Sequence, residues 1–281
     1  MDKVRFGVVG TNNITDWVIE GARQDGRFEL TAVCSRTQER ADEFAAKHNI
    51  PYTFTSLEEM ASSDKIDAVY IATPNSCHCE QALTCICRGK HVLCEKPLAS
   101  NAWEARLMME RAMEYRVTLM EAMISTVNPN FIKLRENMSR LGKIRRYFAS
   151  YCQYSSRYDK FKEGVILNAF NPKLSNGSVM DIGIYTIYPM VALFGMPDSI
   201  QAEGVLLSNG FDGQGAVNFK YDQLDMTATV LYSKIANSFL PSEIEGEEGT
   251  MMIDQIHIAQ NVDFIPRIPT GQGQSQKAVR E

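Results

Sequence analysis

The sequence predicts an α/β protein. A doubly wound parallel sheet occupies residues 1–122, and an α+β domain with an open, mostly antiparallel sheet occupies 123–281. Two observations carry this reading. Short apolar runs alternate with stretches of helical spacing through the first part, the rhythm of β-α-β units. From about residue 123 the pattern changes to one long apolar helix followed by alternating strands with turn residues between them. A chain of 281 residues also suits two domains of about 100–200 residues each.

In order, Val4–Val9 is a first strand ending at Gly10, and Thr11-Asn12-Asn13 is turn chemistry. Trp17, Val18, Gly21 and Ala22 give residues 14–23 helical spacing. Residues 30–34 form a second strand, and Thr37 opens a helix through Ala41, Phe44 and Ala45. Residues 68–72 are a buried strand stopped by Thr73-Pro74-Asn75, and 78–88 a helix ending at Gly89. His91-Val92-Leu93-Cys94 is a short strand with Glu95-Lys96-Pro97 at its carboxyl end. Asn101 caps a helix to Tyr115, and 117–120 is a further strand. Beyond it come a helix over 131–141, a strand over 144–153 and an irregular polar stretch to Asn176. An apolar helix over 177–194 leads into strands at 199–207, 216–221, 226–231, 239–245 and 250–253, and the chain closes in a polar tail over 260–281.

Composition excludes several classes. Apolar residues make up 44% and charged residues 22%, an ordinary globular balance. A net charge of −5 argues against a phosphate-backbone binder, so no nucleic-acid partner is expected. The apolar run from Ile182 to Met196, interrupted by Thr186 and Pro189, falls short of the roughly 20 residues of a membrane span. The amino-terminal run is too short for a signal-peptide core, so a soluble, cytoplasmic protein is expected. Cys77-His78-Cys79 and Cys85-Ile86-Cys87 lack the spacing of common zinc sites and fall on a helix. No metal is expected, and the seven cysteines read as buried, reduced thiols.

Four motifs carry chemistry. The first strand–helix turn, where a dinucleotide fingerprint reads G-x-G-x-x-G, is here Gly10-Thr11-Asn12-Asn13-Ile14-Thr15 and keeps only the first glycine. Asn12 tolerates a left-handed backbone, and the helix-start amides can still meet a phosphate; an ordinary strand–turn–helix is the alternative. The second strand ends in Cys34-Ser35-Arg36, without the acidic residue that reads a ribose 2′-hydroxyl. Serine and arginine suit a 2′-phosphate and favour NADP(H) over NAD(H), against the alternative of an exposed arginine starting a helix. Lys96, at a strand's carboxyl end, lies where open α/β sheets bind ligands. On the 177–194 helix, Asp181 and Tyr185 are four apart and share a face, with Tyr188 one turn on. Polar groups in so apolar a helix are costly to bury unpaired. A tyrosine near a cation is a workable proton donor to a carbonyl, and Lys96 is the available cation; a tyrosine bonded within a core is the alternative.

Taken together, the Gly10 turn, Ala72-Thr73-Pro74-Asn75-Ser76-x-His78, Glu95-Lys96-Pro97 and Gly177-x-x-x-Asp181-x-Gly183-x-Tyr185 resemble the Gfo/Idh/MocA (glucose-fructose oxidoreductase/inositol dehydrogenase) oxidoreductases over nearly the whole chain. Tyr185, where many members carry histidine, and Met120-Glu121-Ala122-Met123 are similar to the dihydrodiol and xylose dehydrogenase branch. The resemblance implies a Rossmann domain and an open-sheet domain that often forms a dimer interface, hence a homodimer or higher homo-oligomer. It implies catalytic roles for Lys96, Asp181 and Tyr185. It also implies cofactor contacts from Gly10, Asn12, Asn13, Ser35, Arg36, Thr73, Asn75, His78, Glu95 and Lys96.

The chain departs from that family at the two missing glycines and at Ser175-Asn176-Gly177-Ser178, where the lead-in to the helix is less glycine-rich. Thr126 stands where the branch carries an arginine. Members normally continue with a further helix past the point where this sequence stops. The implied activity is reversible hydride transfer between NADP(H), or NAD(H), and the hydroxyl-bearing carbon of a sugar, polyol or related diol. A cofactor-binding sensor or regulatory protein without turnover is the alternative from another class.

Overall fold

Strands buried on both faces build the first part of the chain. In the computed structural model, which describes residues 3–267, the chain divides into two compact units, Met1–Ala122 and Met123–Glu281. The first unit runs β1 (Val4–Val9), α1 (Asn13–Ala22), β2 (Phe28–Cys34), α2 (Gln38–His48), β3 (Tyr52–Phe54), α3 (Leu57–Ser62), β4 (Ala68–Ile71), α4 (His78–Ile86), β5 (His91–Glu95), α5 (Ala102–Glu114) and β6 (Leu119–Ala122). Its six strands are all parallel, in the order β3-β2-β1-β4-β5-β6. Val8, Val33 and Tyr70 pack into one core with Ile19 and Phe44. Val9, Ala32, Val69 and Ile71 pack into another with Met60, Ile86 and Met108. Alternate residues of each strand thus feed opposite helix layers, the signature of a doubly wound sheet. The strand order reverses between β1 and β4, and the carboxyl ends at such a switch point form the usual ligand crevice.

Thr37 and Asn101 cap α2 and α5, each side chain accepting a backbone N–H of the first turn. β3 and α3 have no counterpart in the sequence reading, because three residues are too few to show an alternation. β6 lies two residues beyond the expected 117–120. The cysteines are only partly as expected: Cys34, Cys85 and Cys94 are buried, but Cys87 is exposed and Cys77, Cys79 and Cys152 are half-buried. Burial pushes the Cys34 thiol up to about 11 and the Cys85 thiol up to about 12.

The second unit begins with α6 (Ile124–Val127), α7 (Pro129–Glu136), β7 (Ile144–Cys152) and α8 (Tyr158–Lys162). A π-turn over Val179–Gly183 continues into α9 (Ile184–Phe194), so the expected helix starts with wider turns than a regular α-helix. The strands β8 (Ser199–Leu206), β9 (Asp212–Tyr221), β10 (Met226–Ser233), β11 (Ser242–Gly246), β12 (Gly249–Ile253) and β13 (Val262–Pro266) follow. With β7 they form a seven-stranded sheet ordered β13-β12-β11-β7-β10-β9-β8. Only the β7–β10 pair is parallel among these pairings.

Alternation sends Val217, Phe219, Ala228 and Val230 into a single core with Ile182 and Met190 of the long helix. The sequence reading assigns all of 260–281 to a polar tail, yet β13 pairs with β12 inside it; the part of that expectation beyond residue 267 lies outside the described residues. The run Pro172–Phe194, counted with its preceding turns, reaches the length and mean hydropathy (1.3) of a membrane span. It is longer than the stretch read from the sequence, and Thr186, Pro189 and Met190 on it are buried within this unit.

Candidate active-site residues

In the first unit the chain turns out of β1 at Gly10, whose φ is +101°. A Cβ there would run into the carbonyl group of Ala72, so only glycine fits both the conformation and the close approach of the end of β4. Asn12 corrects the expectation of a left-handed residue. Its backbone is extended (φ −113°, ψ 174°) and it caps α1, accepting from the Ile14 and Thr15 amides at 2.9 and 3.1 Å. Its own amide donates to the Ala72 carbonyl at 2.7 Å. Two first-turn amides are therefore committed to the Asn12 side chain, and Asn13 is the first residue of α1. At the end of β2, Ser35 is half-buried and Arg36 exposed. Arg40, which the sequence reading missed, reaches back from α2 to the Thr11 hydroxyl at 3.5 Å. Its signal was a position one turn into the helix that Thr37 caps.

The ends of β4 and β5 are stitched together. Thr73 donates through its hydroxyl to Gln81 at 2.6 Å, and half-buried Asn75 opens a short 3-10 turn. His78 has no exposed surface. Its Nδ1 lies 2.8 Å from the Pro97 carbonyl and its Nε2 3.0 Å from that of Thr73. The ring ties the Thr73 and Pro97 segments together.

Glu95 accepts from the buried Tyr70 hydroxyl at 2.6 Å and from the Lys96 amide at 3.2 Å. Burial, followed by the Glu95 charge, raises the Tyr70 phenol far above its ordinary value, so it stays a donor. Burial also raises the Glu121 carboxyl, opposed by the Leu98 amide that donates to it at 2.8 Å. Half-buried Lys96 leads into Pro97 through a cis peptide.

In the second unit Asp181 lies in the π-turn and Tyr185 one turn on, at the start of α9. Asp212 supports the entry to this turn by accepting the Val179 amide at 2.8 Å, and Ser178 donates to the Gly213 carbonyl at 2.6 Å. Asp181 is held by Lys234, whose Nζ lies 2.5 Å from its Oδ2. Tyr185 meets the edges of two further rings: Tyr151, at 5.8 Å between centroids, and His257, at 6.1 Å. Tyr151 and His257 stack on each other at 4.4 Å with an interplanar angle of 3°. Burial holds His257 below its ordinary 6.5, against an opposing effect of Asp254.

The structure thus brings Asp181 and Tyr185 together on one helix, and gathers the residues from Gly10 to Lys96 at the strand ends of the other unit. Residues 4–123 match the model of an oxidoreductase family with an NAD-binding Rossmann fold, and residues 133–252 match the GFO/IDH/MocA C-terminal domain. The chain belongs to the GFO/IDH/MocA oxidoreductase family.

Among relatives of this oxidoreductase, scyllo-inositol 2-dehydrogenase (NADP(+)) IolU of Bacillus subtilis is 54% identical over 93% of this chain and 79% of its own. Mouse trans-1,2-dihydrobenzene-1,2-diol dehydrogenase is 32% identical over 78% of this chain and 65% of its own. In fold, the oxidoreductase is similar to the crystal structure of an NAD-binding oxidoreductase from Klebsiella pneumoniae. That likeness has a TM-score of 0.85 at 20% identity and covers 99% of this chain and 79% of that one.

Proposed function

We propose that this oxidoreductase moves a hydride between NADP(H) and the hydroxyl-bearing carbon of a polyol, sugar or related diol. The observation that carries the reading is one helix turn bearing an anchored carboxylate, Asp181, and a ring-packed phenol, Tyr185. The polyol and NADP named for the 54% identical relative support the substrate and cofactor classes. The Gly10 turn, which packs on the Ala72 carbonyl, lies at the sheet's switch point, where doubly wound sheets bind dinucleotides.

Gly10, Asn12 and Asn13 receive the pyrophosphate side of the cofactor. Ser35 and Arg36, with Arg40 beside them, bind the ribose 2′-phosphate through charge-assisted hydrogen bonds. Thr73, Asn75, Glu95 and Lys96 contact the remainder, and His78 acts as a positioning residue for Thr73 and Pro97. When bound, the nicotinamide supplies the hydride acceptor or donor. In oxidation Tyr185, as the phenolate that the positive charge of Lys96 favours, takes the hydroxyl proton and becomes the phenol, and Asp181 orients the substrate hydroxyls.

The test is turnover of a panel of cyclic polyols, aldoses and diols deuterated at the hydroxyl-bearing carbon. Deuterium arriving on C4 of the reduced cofactor supports the reading. Tight NADPH binding without transfer from any substrate would leave a cofactor-binding sensor in its place.

We also infer that a second copy of the chain covers the outer face of the seven-stranded sheet, giving a cytoplasmic homodimer. All of β8 is exposed, and Val205 lies on its outer face, opposite in alternation to Ile200, which pairs with the core-facing Phe219. Sedimentation at micromolar concentration should give a dimer mass that Val205→Lys together with Leu231→Lys, both on the outer face, reduces to a monomer mass; a dimer mass kept in the variant would contradict it.

A further inference from the structure

Lys234 is a buried ammonium that the reaction outlined above does not use. It follows β10 directly and continues the row of core-facing residues Met226, Ala228, Val230 and Tyr232. It is only 5% exposed. Its Nζ lies 5.0 Å from the ring centroid of Phe170 and 5.6 Å from that of Phe211, within reach of cation–π attraction. The same nitrogen meets the Ala169 carbonyl at 3.2 Å and the Asp181 carboxylate at 2.5 Å. The backbone on either side of it is pinned as well. The Lys234 amide donates to the Gly213 carbonyl, and its carbonyl accepts the Ser155 amide.

A desolvated ammonium is expensive without an anion, so its position and that of the carboxylate are mutually determined. One cation therefore holds two separate parts of the chain: the π-turn with Asp181, and the turn at Asn168–Phe170 in the irregular polar stretch before it. Asp181 is 39% exposed, so its carboxylate is anchored at one end and presented to solvent along part of its surface.

We propose that Lys234 is a positioning residue that fixes the Asp181 carboxylate for substrates carrying a hydroxyl next to the reacting one. By this it selects polyols and vicinal diols over simple secondary alcohols. The proposal rests on the dehydrogenase reading, and deepens it by naming the group that sets the substrate class. A carboxylate locked in one orientation accepts two neighbouring hydroxyls in fixed geometry. A mono-alcohol makes no use of that second contact.

The test is Lys234→Met, which keeps the length of the stem between the two phenylalanines and removes the charge. Its kcat/KM should fall roughly 100-fold on a cyclic polyol, the scale of a misplaced orienting group, and change about twofold or less on cyclohexanol. Its NADPH affinity should remain that of the parent. Lys234→Arg should recover most of the loss, and Asp181→Asn should add little in the Lys234→Met background, as expected for residues acting through one contact.

Calorimetric titration of the cyclic polyol in the presence of NADPH reads the same proposal without turnover. Affinity present in the parent and lost in Lys234→Met supports it, even where no hydride transfer is seen and the dehydrogenase reading itself falls. Equal losses on polyol and cyclohexanol, unchanged polyol affinity, or additive effects of the two substitutions would overturn it. Circular dichroism and thermal unfolding of each variant identify general misfolding, which appears as equal losses on every substrate.

Discussion

Replacing Gly183 by alanine places a methyl group 3.0 Å from Cγ and 3.1 Å from Cδ1 of Tyr232, and 3.3 Å from Cγ2 of Val179. The ring cannot retreat easily. Its root faces Gly183, and its hydroxyl end occupies the space where a Cβ on Gly215 would lie. Two effects compete. Alanine in place of glycine inside a helix gains about 1 kcal/mol of intrinsic preference. Overpacking a filled site costs about 1–3 kcal/mol. Because the contact falls on the root of a buried ring, the cost wins and leaves a net destabilisation of roughly 1 kcal/mol, or ~3 °C in Tm.

The larger effect is on function, because relief of the contact pushes the π-turn, with Asp181 and Tyr185 on either side, away from β10. A displacement of a few tenths of an ångström lowers kcat/KM about tenfold, on the way to the ~100-fold expected for a full ångström. Thermal unfolding and steady-state turnover with NADP+ measure both quantities, and NADPH titration should show unchanged binding. A variant that is more stable than the parent and fully active would refute the close seating of this helix on the sheet.

Three further outcomes follow from the same geometry. Arg36→Ala and Arg40→Ala should each weaken NADPH binding about tenfold and leave NADH binding nearly unchanged if each makes the proposed charge-assisted phosphate contact; an unchanged NADPH-to-NADH affinity ratio would remove the phosphate assignment. Tyr70→Phe strips a buried donor from Glu95 and should cost about 1.5–3 kcal/mol, as a hydrogen bond to a charged group, read as a lower urea midpoint with an unchanged slope. His257 is held below its ordinary 6.5 mainly by burial, so the unfolded chain binds the proton more readily. Its contribution is therefore complete above 6.5 and is lost as pH falls through the lower folded value. His257→Phe, which keeps a ring against Tyr151, should flatten that acid limb in urea unfolding followed from about pH 7.5 to about pH 5; an identical limb in the variant would contradict the assignment.

Much of the first unit was legible because its strands are buried on both faces and end in turn residues. The span of β1 and the caps at Thr37 and Asn101 follow from side-chain chemistry alone. Asn12 was misread, because a short polar side chain suits both a left-handed residue and a helix cap, and only the Ala72 carbonyl opposite decides between them. The burial of His78 could not be read, since nothing local reveals that Thr73 and Pro97 close over both ring nitrogens.

In the second unit Asp181 and Tyr185 could be found from their spacing, but their partners could not. Lys234 had a usable signal: the alternation of β10, extended past Leu231, sets it on the core-facing row. Tyr151 had the same signal, two residues beyond Ala149 on the inward row of β7. His257 had none, because it sits in a turn organised by Asp254, which accepts the Gln255, Gln260 and Asn261 amides. Tertiary contacts of that kind leave no periodicity in the chain.

The proposed function rests on proton transfer at Tyr185, with Lys96 assisting. Its most direct measurement is single-turnover oxidation of a cyclic polyol by the NADP+-saturated protein, the parent beside Lys96→Met and Tyr185→Phe. Hydride transfer should be rapid in the parent and slower by about 100-fold or more in each variant, with NADPH affinity preserved in Tyr185→Phe. Transfer at the parental rate in both variants would contradict the account.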